Sequence, residues 1–332
     1  MLPDGRWHWS QGPIDLVIGA DGDPAACAQA HEAAWQRFGP VLEVLVAELP
    51  LLRTRCAVDA DELRASPRGE VGQRMHAACR RLAQATGLFI TPMAAVAGSV
   101  ADHLIGCYRA PGVRRAFINN GGDIALHLAE GERYRVGVVG NLDAPALDAA
   151  FEIDHASMLR GIASSGWRGR SLSMGIADTV TVIAADGAAA DAAATLIANA
   201  VDIDDAAVVR APACSVRDDS DLGELPVTVA VGELTPAQVD QALAAGEAFA
   251  RHLLERGLIA RAAITLAGRW RVVGHHSASE VLRSVLTAGA SLPIVLHSPT
   301  LARESDAPGL CSYLPSSLFS IDPTTDSTRR PA

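Results

Sequence analysis

The chain has 332 residues, enough for one large domain or two ordinary ones, and 49% of them are apolar, so a sizeable core is available. Net charge is −10 and aromatic residues are 4%, which argues against a nucleic-acid surface built on basic and stacking side chains. All 28 basic residues are Arg, so any mechanism that needs a lysine, the P-loop included, is excluded.

At the N-terminus, RWHWSQ and PIDLVIGA read as strands joined at Gly12-Pro13. No basic start precedes an apolar stretch there, so no signal peptide is expected. Asp23-Pro24 opens a helical segment that Pro40 should break or kink, and a looser stretch follows from Pro50 to Pro67. VGQRMHAACRRLAQATG reads as a helix with a Gly stop. FITPMAAVAGSVADHLIGCYRA starts extended, turns at Pro92 and continues as a helix of small residues, a pattern that suits close packing. RRAFINNGGDIALHL is a strand, a glycine turn and a second strand, and RYRVGVV is another strand.

From Gly161 a glycine- and serine-rich loop leads to the strand DTVTVIA and an alanine-rich helix reaching about Val201. RDDSDLG reads as an acidic turn before the strand PVTVAVG, because its later positions do not fit a calcium loop. A long helix from Thr235 and a hairpin about Ala267-Gly268 follow, and His275-His276 reads as surface. Strands and helices interleave without strict β-α-β alternation, which predicts an α+β fold with mixed or antiparallel sheets packed against helices. One domain is expected over 1–280. Beyond it, residues 281–332 carry recurrent prolines at 293, 299, 308, 315, 323 and 331 and read as a poorly ordered tail.

The six cysteines show no C-x-x-C spacing, so they read as small buried hydrophobes in a reducing compartment. With no uninterrupted apolar window of about 20 residues, a soluble, cytoplasmic protein without a membrane partner is the expectation.

Three segments carry chemistry. INNGGDI sets Asn119, Asn120, Gly121, Gly122 and Asp123 straight after a strand, where two glycines permit close backbone approach to a ligand; a plain hairpin turn explains the same residues. GIASSGWRGRS concentrates Ser164, Ser165, Gly166, Arg168 and Arg170, a donor set suited to phosphate, although a solvated polar loop has the same composition. DAAAT puts Asp191 and Thr195 one helical turn apart on one face, where both oxygens can reach a hard cation such as Mg²⁺. Alternatively Asp191 answers the helix dipole and Thr195 bonds back to a carbonyl.

FITPMAAVAGSVAD, INNGGDIALHL, GIASSGWRGRSLSMGIAD and TVTVIAADGAAADAAAT together resemble, in order, the blocks of the ApbE-like superfamily, and most closely its uncharacterised branch. The resemblance runs from about Trp7 to Gly274. Its characterised members are FAD:protein FMN transferases, which use Mg²⁺ to move FMN from FAD to a Thr or Ser hydroxyl of an acceptor protein and release AMP. The resemblance implies an ApbE-like fold, a nucleotide ligand such as FAD, Mg²⁺ held by Asp191, Thr195 and the main-chain carbonyl of Val96, and an acceptor protein as partner. It also exposes departures. The family's Lys-Gly is here Ala97-Gly98, and its His-bearing turn is shortened to RSLSMGIAD. A Mg²⁺-dependent transferase-like enzyme and a non-catalytic flavin-binding or cofactor-delivery protein therefore both remain open, and no catalytic residue is assigned.

Overall fold

A computed structural model describes residues 1–59, 65–138, 149–274 and 294–295. In chain order the strands and helices are β1 (Trp7–Gln11), β2 (Ile14–Gly22), α1 (Pro24–Phe38), α2 (Val41–Leu52), α3 (Glu70–Thr86), α4 (Val96–Ile105), β3 (Val113–Asn120) and β4 (Asp123–Leu128). There follow β5 (Arg133–Val138), β6 (Ala149–Asp154), β7 (Gly161–Ser165), β8 (Thr179–Ala184), α5 (Gly187–Ala200), β9 (Val208–Pro212), α6 (Ala213–Val216) and β10 (Pro226–Val231). The last are α7 (Pro236–Glu255), β11 (Arg261–Leu266), β12 (Arg269–Gly274) and β13 (Ile294–Val295). A 3-10 turn, Pro92–Ala95, leads into α4.

Eight strands form one sheet in the order β1-β2-β3-β4-β7-β8-β11-β12, antiparallel at every pairing. The expected α+β class with antiparallel sheets is what forms. Alternation along the strands divides the core in two. Ile18, Ile118 and Ala125 lie opposite one another across β2, β3 and β4 and belong to the larger cluster, which the helices cover. Phe117 and Leu126, one residue on, point the other way and pack with Tyr134, Phe151 and Ile153 of the β5–β6 hairpin. The one parallel pairing among the described strands joins β13 to Val136 and Gly137 of β5. His275-His276 and the rest of the tail lie outside the described residues.

Helix ends follow their sequence signals. Asp23 caps α1 ahead of Pro24, Thr235 and Gln238 form a capping box on α7, and Gly87 closes α3 in the left-handed conformation at φ 70°. α2 runs two residues past Pro50 rather than loosening there. Four strands escape the sequence reading. β7 lies inside the expected Gly161 loop, β6 and β9 carry weak alternation, and β13 falls in the expected tail.

What positions the site is the crossing of α4 and α5 over the sheet. A Cβ on Gly98 would lie 2.2 Å from the Gly187 carbonyl oxygen, and one on Gly161 would lie 1.8 Å from that of Asp186. Only glycine lets α4, α5 and β7 approach so closely. The small-residue pattern of 93–101 is thus a packing pattern, as composition suggested.

Candidate functional site

Two carboxylates tie the crossing together, one from each helix. Asp102 of α4 accepts from the amides of Gly187 and Ala188 at 2.9 and 2.8 Å, capping the start of α5. Asp191 of α5 accepts from the Gly98 amide at 3.0 Å, near the start of α4. Helix α5 already has its own cap, Asp186, which accepts from the Ala189 amide at 2.8 Å. The expectation that Asp191 serves its own helix dipole is therefore replaced: its partner amide belongs to another helix. Thr195, one turn on, makes no hydrogen bond with a described residue, so the alternative back-bond to a carbonyl does not form.

An open cleft lies over this crossing and has two lobes. The smaller, about 260 Å³, takes Asp191, Thr195 and Asn199 from successive turns of α5, with Ile90, Thr91 and Met93 on one wall and Asp219 to Leu222 on another. The larger, about 480 Å³, takes Asn120 and Gly121 from the β3–β4 turn, Ser164 to Gly166 from the end of β7, and Arg170 from the loop beyond. Val96, Ala97, Asp123, Ser171 and Arg217 line both.

Asp123 begins β4 and is only 8% exposed. Its carboxylate accepts from the Ser164 amide at 3.1 Å, which joins the NNGGD turn to the ASSG strand. Burial first, and then the negative charge of Asp191, push the Asp123 carboxyl well above its usual range. Burial likewise raises Asp191 to about 7; the Gly98 and Ala97 amides oppose that, and Asp102 adds to it. The cleft floor thus holds two acids that burial and mutual repulsion keep from ionising freely. Among the described residues no three His, Cys, Asp or Glu side chains come together as a metal-binding group. A cation there would rest on two carboxylates and on neutral oxygens, a donor set that suits Mg²⁺, which keeps part of its water shell.

Most of the residues singled out in the sequence reach the cleft. Asn120 is held between strands, accepting from the Asp15 amide at 3.3 Å and donating to the Ala97 carbonyl at 3.1 Å. Asn119 and Gly122 do not line it: the Asn119 side chain accepts from the Gly122 amide at 2.8 Å and closes the turn. Arg168 does not line it either, for its Nε donates to Asp178 at 3.0 Å and its guanidinium sits 4.8 Å over the Trp167 ring. Arg170 does, donating to the Pro13 carbonyl at 3.2 Å.

Sequence reading missed Arg217, Asp219, Asp221 and Asn199. Asn199 continues the Asp191–Thr195 spacing by four more residues and was there to be found. The acidic turn gave no such signal. Its Asp221 accepts from the Thr91 hydroxyl and its Asp219 pairs with Arg53 at 3.4 Å, contacts 130 and 166 residues apart in sequence.

The five described cysteines are all free thiols, and Cys311 lies outside the described residues. Among the described residues no helix is long and apolar enough to cross a membrane.

The model of a family described as AbpE bacteria matches residues 1–272. The UPF0280 protein of Methanothrix thermoacetophila is 40% identical over 124 residues, which is 37% of this chain and 51% of the relative. That of Methanosphaerula palustris is 38% identical over 123 residues, 37% of this chain and 51% of its own. The chain spans about half the length of the curated relatives it matches. Among solved structures, the apo form of the Pseudomonas stutzeri flavinyl transferase ApbE is 13% identical, with a TM-score of 0.43, over 83% of this chain and 96% of that one. The flavin transferase ApbE of Vibrio cholerae is 11% identical, with a TM-score of 0.37, over 83% and 99%.

Proposed function

The chain belongs to the AbpE bacteria family, and from that premise we propose that its cleft binds a flavin nucleotide of the FAD type together with Mg²⁺ and supports transferase-type chemistry on it. The observation that carries this reading is the pair of acids on the cleft floor, buried Asp123 where the two lobes meet and half-buried Asp191 in the smaller lobe. Two carboxylates crowded out of water invite a dication, because it repays the desolvation and repulsion that otherwise raise their pKa values. Asp191, Asp123, the Thr195 hydroxyl and the Val96 carbonyl are the oxygens that would hold it. Bound there, Mg²⁺ would supply Lewis-acid stabilisation of a diphosphate.

The chain's own groups do the rest. The Ser164, Ser165 and Gly166 segment and Arg170 offer hydrogen-bond donors to anionic oxygens in the larger lobe. Ile90, Met93 and Leu196 give the smaller lobe apolar walls for a ring. Asn119 and Gly122 act one step back, by shaping the turn that presents Gly121 and Asp123. Arg168, paired to Asp178, fixes the loop that carries Arg170.

A second reading is a flavin-binding or cofactor-delivery protein without transfer activity. Ala97 favours it: this residue lines both lobes where the superfamily resemblance implies a lysine, and it offers neither charge nor donor side chain. The test is incubation of the protein with FAD, Mg²⁺ and a Thr-bearing acceptor peptide, followed by measurement of AMP and peptide mass. Retained FAD with slow or absent AMP release is the expected outcome. Rapid FMN attachment would remove the second reading, and no flavin binding would remove both.

A further inference from the structure

We propose that Arg217 is the positioning residue for the diphosphate of the nucleotide, and that it makes the cleft prefer a dinucleotide over a mononucleotide. This rests on the flavin-nucleotide reading and adds a residue and a selectivity to it.

A ligand that fills both lobes must lay its linker over the five residues the lobes share. Val96, Ala97 and Ser171 are uncharged, Asp123 is an acid, and Arg217 is the one base among them. A diphosphate passing there faces Asp123 below, and its repulsion must be offset by fixed positive charge beside any bound cation. The chain supplies few candidates. Arg53 is paired to Asp219. Arg168 is paired to Asp178 and lines neither lobe itself. Arg170 sits in the larger lobe only.

Arg217 differs from all three. It follows the short helix α6 with an extended backbone, φ −149° and ψ 115°, and lines both lobes. Its Nη2 donates to the Arg170 carbonyl at 3.0 Å, so the two basic residues are tethered at one spot. It forms no ion pair with a described carboxylate, although Asp218 and Asp219 follow it directly in the chain. A guanidinium carries five N–H donors in a planar fork, and one hydrogen bond leaves most of them for a ligand. In a chain of net charge −10, an arginine at a cleft junction with no acidic partner is suited to an anion. A mononucleotide can occupy one lobe without crossing the junction, and so gains less from Arg217 than a dinucleotide does.

The test measures FAD and FMN affinities, with Mg²⁺ present, for wild type, Arg217→Ala and Arg217→Lys. Arg217 is exposed, so both variants should melt as wild type does, and melting curves check this. Loss of a charged hydrogen bond predicts about 10- to 100-fold weaker FAD binding in Arg217→Ala. FMN should weaken by much less, so the preference for FAD collapses. Arg217→Lys should fall between, because an ammonium keeps the charge without the fork. An unchanged FAD-to-FMN ratio in Arg217→Ala, with wild type binding FAD, would overturn this assignment and leave the flavin-nucleotide reading standing. Arg217→Lys as weak as Arg217→Ala would overturn the charge argument in the same way. Wild type that binds neither flavin would overturn both.

Discussion

Replacing Gly98 by Ala tests the helix crossing on which the whole site is built. The new Cβ would lie 2.2 Å from the Gly187 carbonyl oxygen, 2.5 Å from its carbon and 2.9 Å from the Ala188 nitrogen. All three are backbone atoms, so no rotamer change relieves the clash. Ordinary contact begins at 3.4 Å, so the helices must part by about 3.4 − 2.2 = 1.2 Å. That movement stretches the hydrogen bonds from Gly187 and Ala188 to Asp102 and from Gly98 to Asp191. Overpacking alone costs about 1–3 kcal/mol, and weakening charged hydrogen bonds adds about 1.5–3 kcal/mol. The better helix propensity of Ala returns up to about 1 kcal/mol. A net loss of about 2–4 kcal/mol corresponds to a melting temperature lower by roughly 5–15 °C in a domain of this size. Gly187→Ala is the internal control, since its Cβ meets the Gly98 oxygen at 2.9 Å and Asp102 Oδ1 at 3.1 Å, and it should cost clearly less. Differential scanning calorimetry of both variants decides. Gly98→Ala melting within about 2 °C of wild type, or below Gly187→Ala in its effect, would refute the crossing geometry.

Further expectations concern the acids and the tail. Asp102 is raised from 3.8 to about 7, chiefly by burial. The folded state therefore holds a proton that the unfolded state has released, and stability should fall as pH rises from about 4 to about 7 and level off above. Asp102→Asn should flatten that slope in urea melts at pH 5 and 7.5, by up to about 2.5 kcal/mol; equal slopes would contradict the assignment. Asp191→Asn keeps an oxygen for the Gly98 amide, so the fold should survive while Mg²⁺ affinity by calorimetry drops tenfold or more, roughly the worth of one charged ligand. Unchanged affinity would leave Asp191 with α4 alone. Truncation after residue 284 removes β13 and its pairing to β5, a loss of about 1–2 kcal/mol that circular dichroism melts would register as a few degrees; a collapse of the fold would show that far more than two residues dock there.

How much of this was legible in the sequence depends on how local each signal is. Strands with clean alternation, such as IDLVIGA and TVTVIA, and helices with marked ends, such as Asp23-Pro24 and Thr235-Pro236, could be read directly. Strand β7 could not. Its Gly161 is there to admit α5, and its Ser164 bonds Thr181 at 3.0 Å across the sheet, so the composition of a tertiary junction mimics a loop. Asp191 and Thr195 were found because helix spacing is a local rule. Asp102 was not read as a cap, since its partners are 85 and 86 residues away. Arg217 and Asp221 enter the cleft through a turn that brings distant chain together, and one sequence carries no sign of that meeting. Arg168 and Arg170 were indistinguishable by composition. The fold separates them, because Asp178 takes the first and the cleft the second.

The two-lobed cleft is proposed to take a flavin dinucleotide with Mg²⁺ at its acidic floor. The most direct measurement is a titration of the purified protein with FAD, followed by flavin fluorescence, once with Mg²⁺ and once with EDTA. Binding that saturates at one FAD per chain and weakens at least about tenfold in EDTA, one charged contact's worth, is the result expected. FAD binding indifferent to Mg²⁺, or none in either buffer, would contradict the account.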